Sequence, residues 1–322
     1  MFDAEAILRA AHRPLMIGMG GGGDVVGALA SAEFARLYDG AEPLVGGLSW
    51  ERRPIDPVPG PRSEAEIEGA QRLAPGVMLA GPRTRVRDRD VHFAESRMAA
   101  FLDRPTLLVT IDDGPAAIAA GLAAASAQLH SDLFVFVDVG GDVLAQGHEP
   151  GLRSPLCDAI MLAAAQRLAT ERVPVLLAVF GIGCDAELTA AEVLAQLAVV
   201  AAAGGLGGVR GLTAPVAERL EAAIELVPTE ASAQAVRAFR GARGEVTIRG
   251  GERAFELSTV AASTFYLDVE ITYATAGRLA RAVAGSDSLT AANQTLNELG
   301  VRTELDVESD AAARTANPTS GR

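Results

Sequence analysis

A chain of 322 residues can bury one large α/β core without a disulfide or metal to hold it. Hydrophobic residues make up 49% and aromatics only 4%, so the core must be aliphatic, as where helices pack on a parallel sheet. Twenty-eight basic against 41 acidic residues leave a net charge of −13, which repels nucleic-acid phosphates and anionic membrane surfaces.

The segment from Met1 to Ala11 reads as a short amphipathic helix carrying Asp3 and Glu5, not a signal segment. The apolar run from Pro14 ends in glycines and passes into an amphipathic pattern from Val25 to Tyr38, which gives strand, tight turn, helix. A second strand is expected at Glu42 to Gly47, followed by a Pro- and Arg-rich loop from Trp50 to Arg62. Val77 to Ala80 makes a third strand. Arg83, Arg85, Arg87 and Arg89 alternate with Asp88 and Asp90 and read as a solvated charged loop in preference to an anion clamp. A helix follows from His92 to Asp103, with Glu95 in its first turn complementing the dipole.

Three continuous apolar runs, Thr106 to Ile111, Leu133 to Val139 and Val173 to Phe180, have the character of buried strands, and each precedes a long apolar helix. Strand and helix alternating in this way predict a doubly wound, mainly parallel, Rossmann-like three-layer sheet with right-handed crossovers. Ile160 to Ala169 and Leu188 to Ala203 are alanine-rich and broken by polar residues, so they are core helices that cover the sheet or meet a second copy of the chain, not membrane spans. Beyond Gly211 come helices at Ala214 to Leu226 and Glu230 to Phe239. A β-hairpin around Gly250 and Gly251 follows, then helices at Ala274 to Val283 and Ser288 to Leu299, and a short strand at Val301 to Leu305. The expected division is a core over residues 1–210, C-terminal helices and hairpin packed on it over 211–307, and a disordered tail over 308–322.

In such a sheet ligands bind beyond the carboxyl ends of the strands, so the residues just after each strand are the candidate site. They share a theme: Gly20, Gly21, Gly22, Gly23 and Asp24; Asp112 and Asp113; Asp138, Gly140, Gly141 and Asp142; Gly183, Asp185 and Glu187. Successive glycines let backbone amides approach an anion at a helix N-terminus. Recurring carboxylates suit a divalent cation, Mg or Mn, held by Asp24, Asp138, Asp142 and Asp185, with Asp112, Asp142 and Glu187 as acid/base groups. Any one of these aspartates is as readily a helix N-cap. Trp50, Glu51 and Arg52 open the long loop, where Trp50 serves as a loop anchor or as a stacking lid over a ligand.

Other features carry less. His148 and Glu149 are adjacent, but a loop histidine usually faces solvent. Cys157 and Cys184 are too few and too widely spaced for a disulfide scaffold and read as buried thiols of a reducing, cytoplasmic compartment, with a nucleophilic Cys184 as the minor reading. Gly18 to Gly23 satisfies G-x-G-x-x-G, a match that four successive glycines make easy.

Taken together, Gly20 to Val25, Gly46 to Arg52 with Asp56-Pro57 and Pro59 to Arg62, Asp138 to Asp142, Ser154 to Asp158, Gly183 to Leu188 and Thr264 to Asp268 resemble the domain-of-unknown-function family numbered 1152, from about residue 14 to about residue 306. The resemblance implies one fold and marks the same turns, and it brings no settled activity. Asp113 stands where the family pattern has glycine, so Asp112 is the expected site residue of that pair. The leading expectation is an enzyme that hydrolyses or transfers a group on a small phosphorylated or nucleotide-like metabolite. The rivals are a nicotinamide-dependent oxidoreductase, for which Gly46-Gly47 leaves no acidic residue at the end of the second strand, and a non-catalytic binding protein, whose carboxylates would all be consumed as caps.

Overall fold

The computed structural model describes residues 2–171 and 173–316. Helix α1 (Ala4–Ala10) leads into strand β1 (Pro14–Gly18), helix α2 (Asp24–Phe34) and β2 (Leu44–Leu48). A hairpin of β3 (Ile67–Ala74) and β4 (Val77–Val86) then precedes α3 (Ala94–Leu102) and β5 (Thr106–Val109). The alternation continues with α4 (Gly114–Leu129), β6 (Leu133–Val139), α5 (Pro155–Thr170), β7 (Val175–Phe180), α6 (Ala190–Ala202) and β8 (Leu206–Gly211).

After α7 (Ala214–Ile224) and α8 (Ala231–Phe239) come a separate hairpin of β9 (Gly244–Ile248) and β10 (Arg253–Leu257), and then β11 (Ser263–Asp268). Helices α9 (Val269–Thr275), α10 (Arg278–Val283), α11 (Leu289–Glu298) and α12 (Glu304–Ala316) close the described chain.

The strands form one nine-stranded sheet in the order β3-β4-β5-β2-β1-β6-β7-β11-β8. Its centre, β5-β2-β1-β6-β7, is parallel, while β4, β3, β11 and β8 add antiparallel edges. Strand β1 is paired with β2 on one side and β6 on the other, so the chain leaves it in opposite directions and opens a crevice between the ends of β1 and β6. Two apolar layers clothe the sheet. One joins α4, α5 and the C-terminal helices through Leu122, Ile160, Leu168, Leu279 and Leu296; the other joins α2, α7 and α8 through Val25, Leu29, Leu220 and Val236. Strands β6 and β7 are buried along almost their whole length, as their continuous apolar character requires.

The expected fold class is therefore the observed one, with a larger sheet than the periodicity suggested. Strands β3, β8 and β11 were not expected. β3 and β8 are edge strands of mixed or glycine-rich composition, and β11 enters the sheet from far along the chain to lie between β7 and β8. Arg83 and Arg85 belong to β4, where Arg85 pairs with Glu68 of β3 at 2.7 Å, so the first part of the arginine cluster faces outward from a hairpin instead of a loop. The expected strand at Val301 to Leu305 and the start of the expected tail are instead the approach to α12 and that helix itself. The remainder of the expected tail, 317–322, lies outside the described residues. No helix among the described residues is long and apolar enough to cross a membrane.

Candidate functional site

The crevice at the end of β1 deepens into a cavity of about 380 Å³ lined by Gly20 to Asp24, Glu51 to Ile55, Asp142, Ser154, Asp158, Asp185, Glu187, the α7–α8 connection at Pro228 to Ala231, and Arg249 of the hairpin. That volume is on the scale of small-metabolite sites, which begin at roughly 300 Å³. Gly20 is demanded by close approach: a β-carbon there would lie 2.5 Å from an Asp24 carboxylate oxygen. Asp24 does not cap the helix in the forward direction. Its carboxylate reaches back to accept the Gly20 N–H at 2.9 Å, and the Gly22 N–H donates to the Trp50 carbonyl at 2.9 Å. Two amides of the glycine turn are thus already engaged, so the turn is a snug wall and only in part an open cradle for an anion.

Below it the carboxylates converge. Asp138 at the end of β6, Asp142 four residues on, and Asp158 in the first turn of α5 bring ligand oxygens within 4.8 Å of one another; Asp142, Asp185 and Glu187 do the same. Asp138 is 1% exposed, Asp158 2%, Asp142 6% and Asp185 8%. Asp138 Oδ2, Asp158 Oδ1 and Asp185 Oδ2 have no hydrogen-bond partner. Burial, reinforced by repulsion from neighbouring carboxylates, holds all four well above the ordinary aspartate range, Asp138 at about 8. At the cavity wall Asp24 is raised to about 7, by burial first, against the opposing pull of the Gly20 N–H and Arg52. No basic side chain among the described residues forms an ion pair with Asp24, Asp138, Asp142, Asp158 or Asp185.

Glu187 differs. Its carboxylate accepts from the Arg153 N–H (2.7 Å), the Ser154 N–H (2.8 Å), the Ser154 hydroxyl (2.6 Å) and the Arg253 guanidinium (2.9 Å), which ties the β9–β10 hairpin to the start of α5. A carboxylate so fully engaged is a poor acid/base group, and the expected catalytic role does not suit its surroundings. Asp112 sits away from the cavity, half-buried near Asp113 and Glu66, with its carbonyl accepting the Leu289 N–H at 2.9 Å; sheet order carries the end of β5 to the far side of β2. Gly140, Gly141 and Gly183 are not lining residues. The Gly183 N–H donates to the Gly140 carbonyl at 2.7 Å, and Gly140, at φ +130°, lies where a β-carbon would come within 2.2 Å of the Asp185 carboxyl carbon. Their part is to let Asp185 approach.

Trp50 is fully buried and does not face the cavity. Its indole N–H donates to Glu308 of α12 at 3.0 Å and its ring lies 4.3 Å beneath the Arg52 guanidinium, so it anchors the loop. Arg52 does line the cavity. It donates to the Gly20 carbonyl at 2.5 Å and lies 3.5 Å from Glu304 and 3.6 Å from Glu308. Glu304 also accepts the Leu156 and Cys157 N–H groups, both at 2.9 Å, and so fills the N-terminus of α5 with the protein's own carboxylate. Glu51 reaches the cavity but accepts the Ala94 N–H, and beside it Glu95 is fully buried with neither oxygen partnered, not the dipole-facing surface residue expected.

Glu149 accepts the N–H groups of Gln146, Gly147 and His148 and closes its own turn, while His148 is exposed. Cys157 and Cys184 are free and buried, and burial pushes both thiols up, which removes the nucleophilic reading of Cys184. The residues that sequence reasoning missed are Asp158, Glu304 and Glu308. Asp158 was visible only inside a family-like segment, because it follows no strand; Glu304 and Glu308 lay on a stretch too polar to read as packed structure.

Neither the curated proteins nor the solved structures compared with the chain gave a match. The family described as "Protein of unknown function (DUF1152)" matches residues 15–312, the glycine turn, every carboxylate of the crevice and the first part of α12 included, and the chain belongs to that family.

Proposed function

We propose that this protein is an enzyme that hydrolyses or transfers the phosphoryl-containing group of a small phosphorylated or nucleotide-like metabolite, using divalent Mg or Mn held by the crevice carboxylates. The observation that carries this reading is the convergence of Asp138, Asp142, Asp158 and Asp185, all buried and all but Asp142 with an unpartnered oxygen, at a cavity lined by Asp142, Asp158 and Asp185 together with Arg52, Arg53 and Arg249. Carboxylates and guanidiniums lining one cavity suit a cation-bound anion. A bound divalent cation would polarise the phosphoryl group.

Asp24 is the residue suited to move the proton. It lines the cavity, keeps partial access, and titrates near neutrality. In hydrolysis the water oxygen bonds to phosphorus as the ester P–O bond breaks. Asp24 takes one proton from the water and passes it to the departing oxygen, leaving an alcohol and phosphate and returning Asp24 to its carboxylate form. The nicotinamide alternative has less support, since Glu51, the nearest acid beyond β2, is committed to the Ala94 N–H. The non-catalytic alternative required carboxylates consumed as caps, and Asp138 and Asp158 have oxygens with no partner at all. With two free, buried cysteines the chain suits the cytoplasm.

The test is a thermal-shift and turnover screen of nucleotides and sugar phosphates with and without Mg²⁺ or Mn²⁺, repeated with Asp24→Asn. The expected result is a metal-dependent shift, and a kcat about 10²- to 10⁴-fold lower in the variant with melting temperature kept. If no phosphorylated compound shifts or turns over, the reading fails.

A further inference from the structure

The carboxylates form two groups, not one. Asp138, Asp142 and Asp158 bring their oxygens within 4.8 Å of each other, and Asp142, Asp185 and Glu187 do so separately, with Asp142 common to both. A carboxylate has two oxygens, and one shared between neighbouring three-oxygen groups is placed as a bridging ligand. Each group also holds an aspartate with a buried oxygen that no protein donor reaches: Asp138 Oδ2 and Asp158 Oδ1 in the first, Asp185 Oδ2 in the second. The only guanidinium in contact with either group among the described residues is Arg253, on Glu187 at 2.9 Å. One charge cannot compensate a crowd of this size, and an ion held by one group would leave the outlying members of the other unpaired.

Resting on the function proposed above, we infer that the crevice binds two divalent cations side by side, one between Asp138, Asp142 and Asp158, the other between Asp142, Asp185 and Glu187, with Asp142 bridging. Glu187 reaches its cation by exchanging the Arg153 N–H for the ion while keeping its contacts to Ser154 and Arg253. Asp24 belongs to neither group and stays free for the proton. Paired cations of this kind clamp the attacking and leaving oxygens of an in-line displacement at phosphorus, which narrows the substrate class to phosphate esters and anhydrides.

The experiment is titration of the full, metal-stripped chain with Mn²⁺, read by native mass spectrometry for stoichiometry and by electron paramagnetic resonance for coupling between ions. Wild type is expected to bind two Mn²⁺ and to show an exchange-coupled spectrum. Asp158→Asn and Asp185→Asn should each retain one uncoupled ion, and Asp142→Asn should bind at least tenfold more weakly at both positions, with folding checked by circular dichroism. One uncoupled ion in the wild type overturns this inference and leaves the proposed function standing. Binding that Asp142→Asn does not alter likewise overturns it, as surface binding to an acidic protein. No Mn²⁺ bound, or phosphate-ester turnover unaffected by metal removal, overturns both. The wild-type stoichiometry decides the matter even where a variant fails to fold.

Discussion

At the scale of single residues, burying an acid without a partner is costly. Glu95 is fully buried, and burial first, then repulsion from Glu51, raises its carboxyl well above the glutamate range; burial likewise lifts Glu51 to about 7. The charged groups that face the pair are Arg97, Arg52, Asp56 and Asp24. Both acids are bound more tightly to their protons in the folded state than in the unfolded chain. Stability from this pair is therefore full below about pH 4.5 and is lost as pH rises through 7. Glu95→Gln, neutral and of the same shape, should flatten the fall in melting temperature between pH 5 and pH 8 in metal-free buffer and be the more stable protein at pH 8. A slope equal to that of wild type would mean that the pair is not protonated in the folded state.

Gly140 sets a second residue-scale constraint. Alanine there has to adopt φ +130° and displace the Asp185 carboxyl from a site 2.2 Å away. Gly140→Ala is expected to cost about 2 to 4 kcal/mol in urea unfolding and to weaken divalent-cation binding, because strain and misplacement act together. A variant with unchanged cation binding would separate the glycine from the site.

Among the elements, α12 ties together several segments of the site wall. Through Glu304 it caps α5, the helix that carries Asp158, and through Glu304 and Glu308 it holds Arg52, Trp50 and Gly60. Glu304→Gln keeps an oxygen for one of the two α5 amides, sets its NH2 against the other, and removes the charge that faces the helix dipole and Arg52, a loss of about 1 to 2 kcal/mol. Glu304→Ala leaves both buried amides without an acceptor and removes one of the two carboxylates beside Arg52, and should cost more, about 3 kcal/mol or above. Chemical denaturation of both variants measures the difference, and equal stabilities would show that the helix position and not the carboxylate matters.

For the whole molecule, the fully buried central strands end at the crevice, and a hairpin outside the main sheet contributes Arg249 to its lining. β1, β6 and β7 are covered on both faces, whereas the β9–β10 hairpin forms its own two-stranded sheet and reaches the core through contacts such as Arg253 to Glu187. Hydrogen exchange should accordingly be slowest in β1 and β6 and fast across 244–257, with the hairpin gaining protection when Mn²⁺ and a phosphorylated compound are added together. Protection confined to a region remote from the hairpin would put the ligand elsewhere.

The alternation of apolar runs and amphipathic helices determined the parallel centre of the sheet, because buried strands and one-faced helices leave local patterns that survive without context. For the same reason the glycine turn after β1 and the aspartates after β6 and β7 were legible, since strand ends mark the crevice of any such sheet. Tertiary structure alone decided the rest. It separated Asp112 from the other carboxylates through strand order, and turned Trp50 inward onto Glu308. Asp158 joined the group from a helix start, and Glu187 was fixed in place by donors from the loop before α5 and from the hairpin. Those outcomes depend on which segments, up to 258 residues apart, share a hydrogen bond, and no local periodicity encodes that.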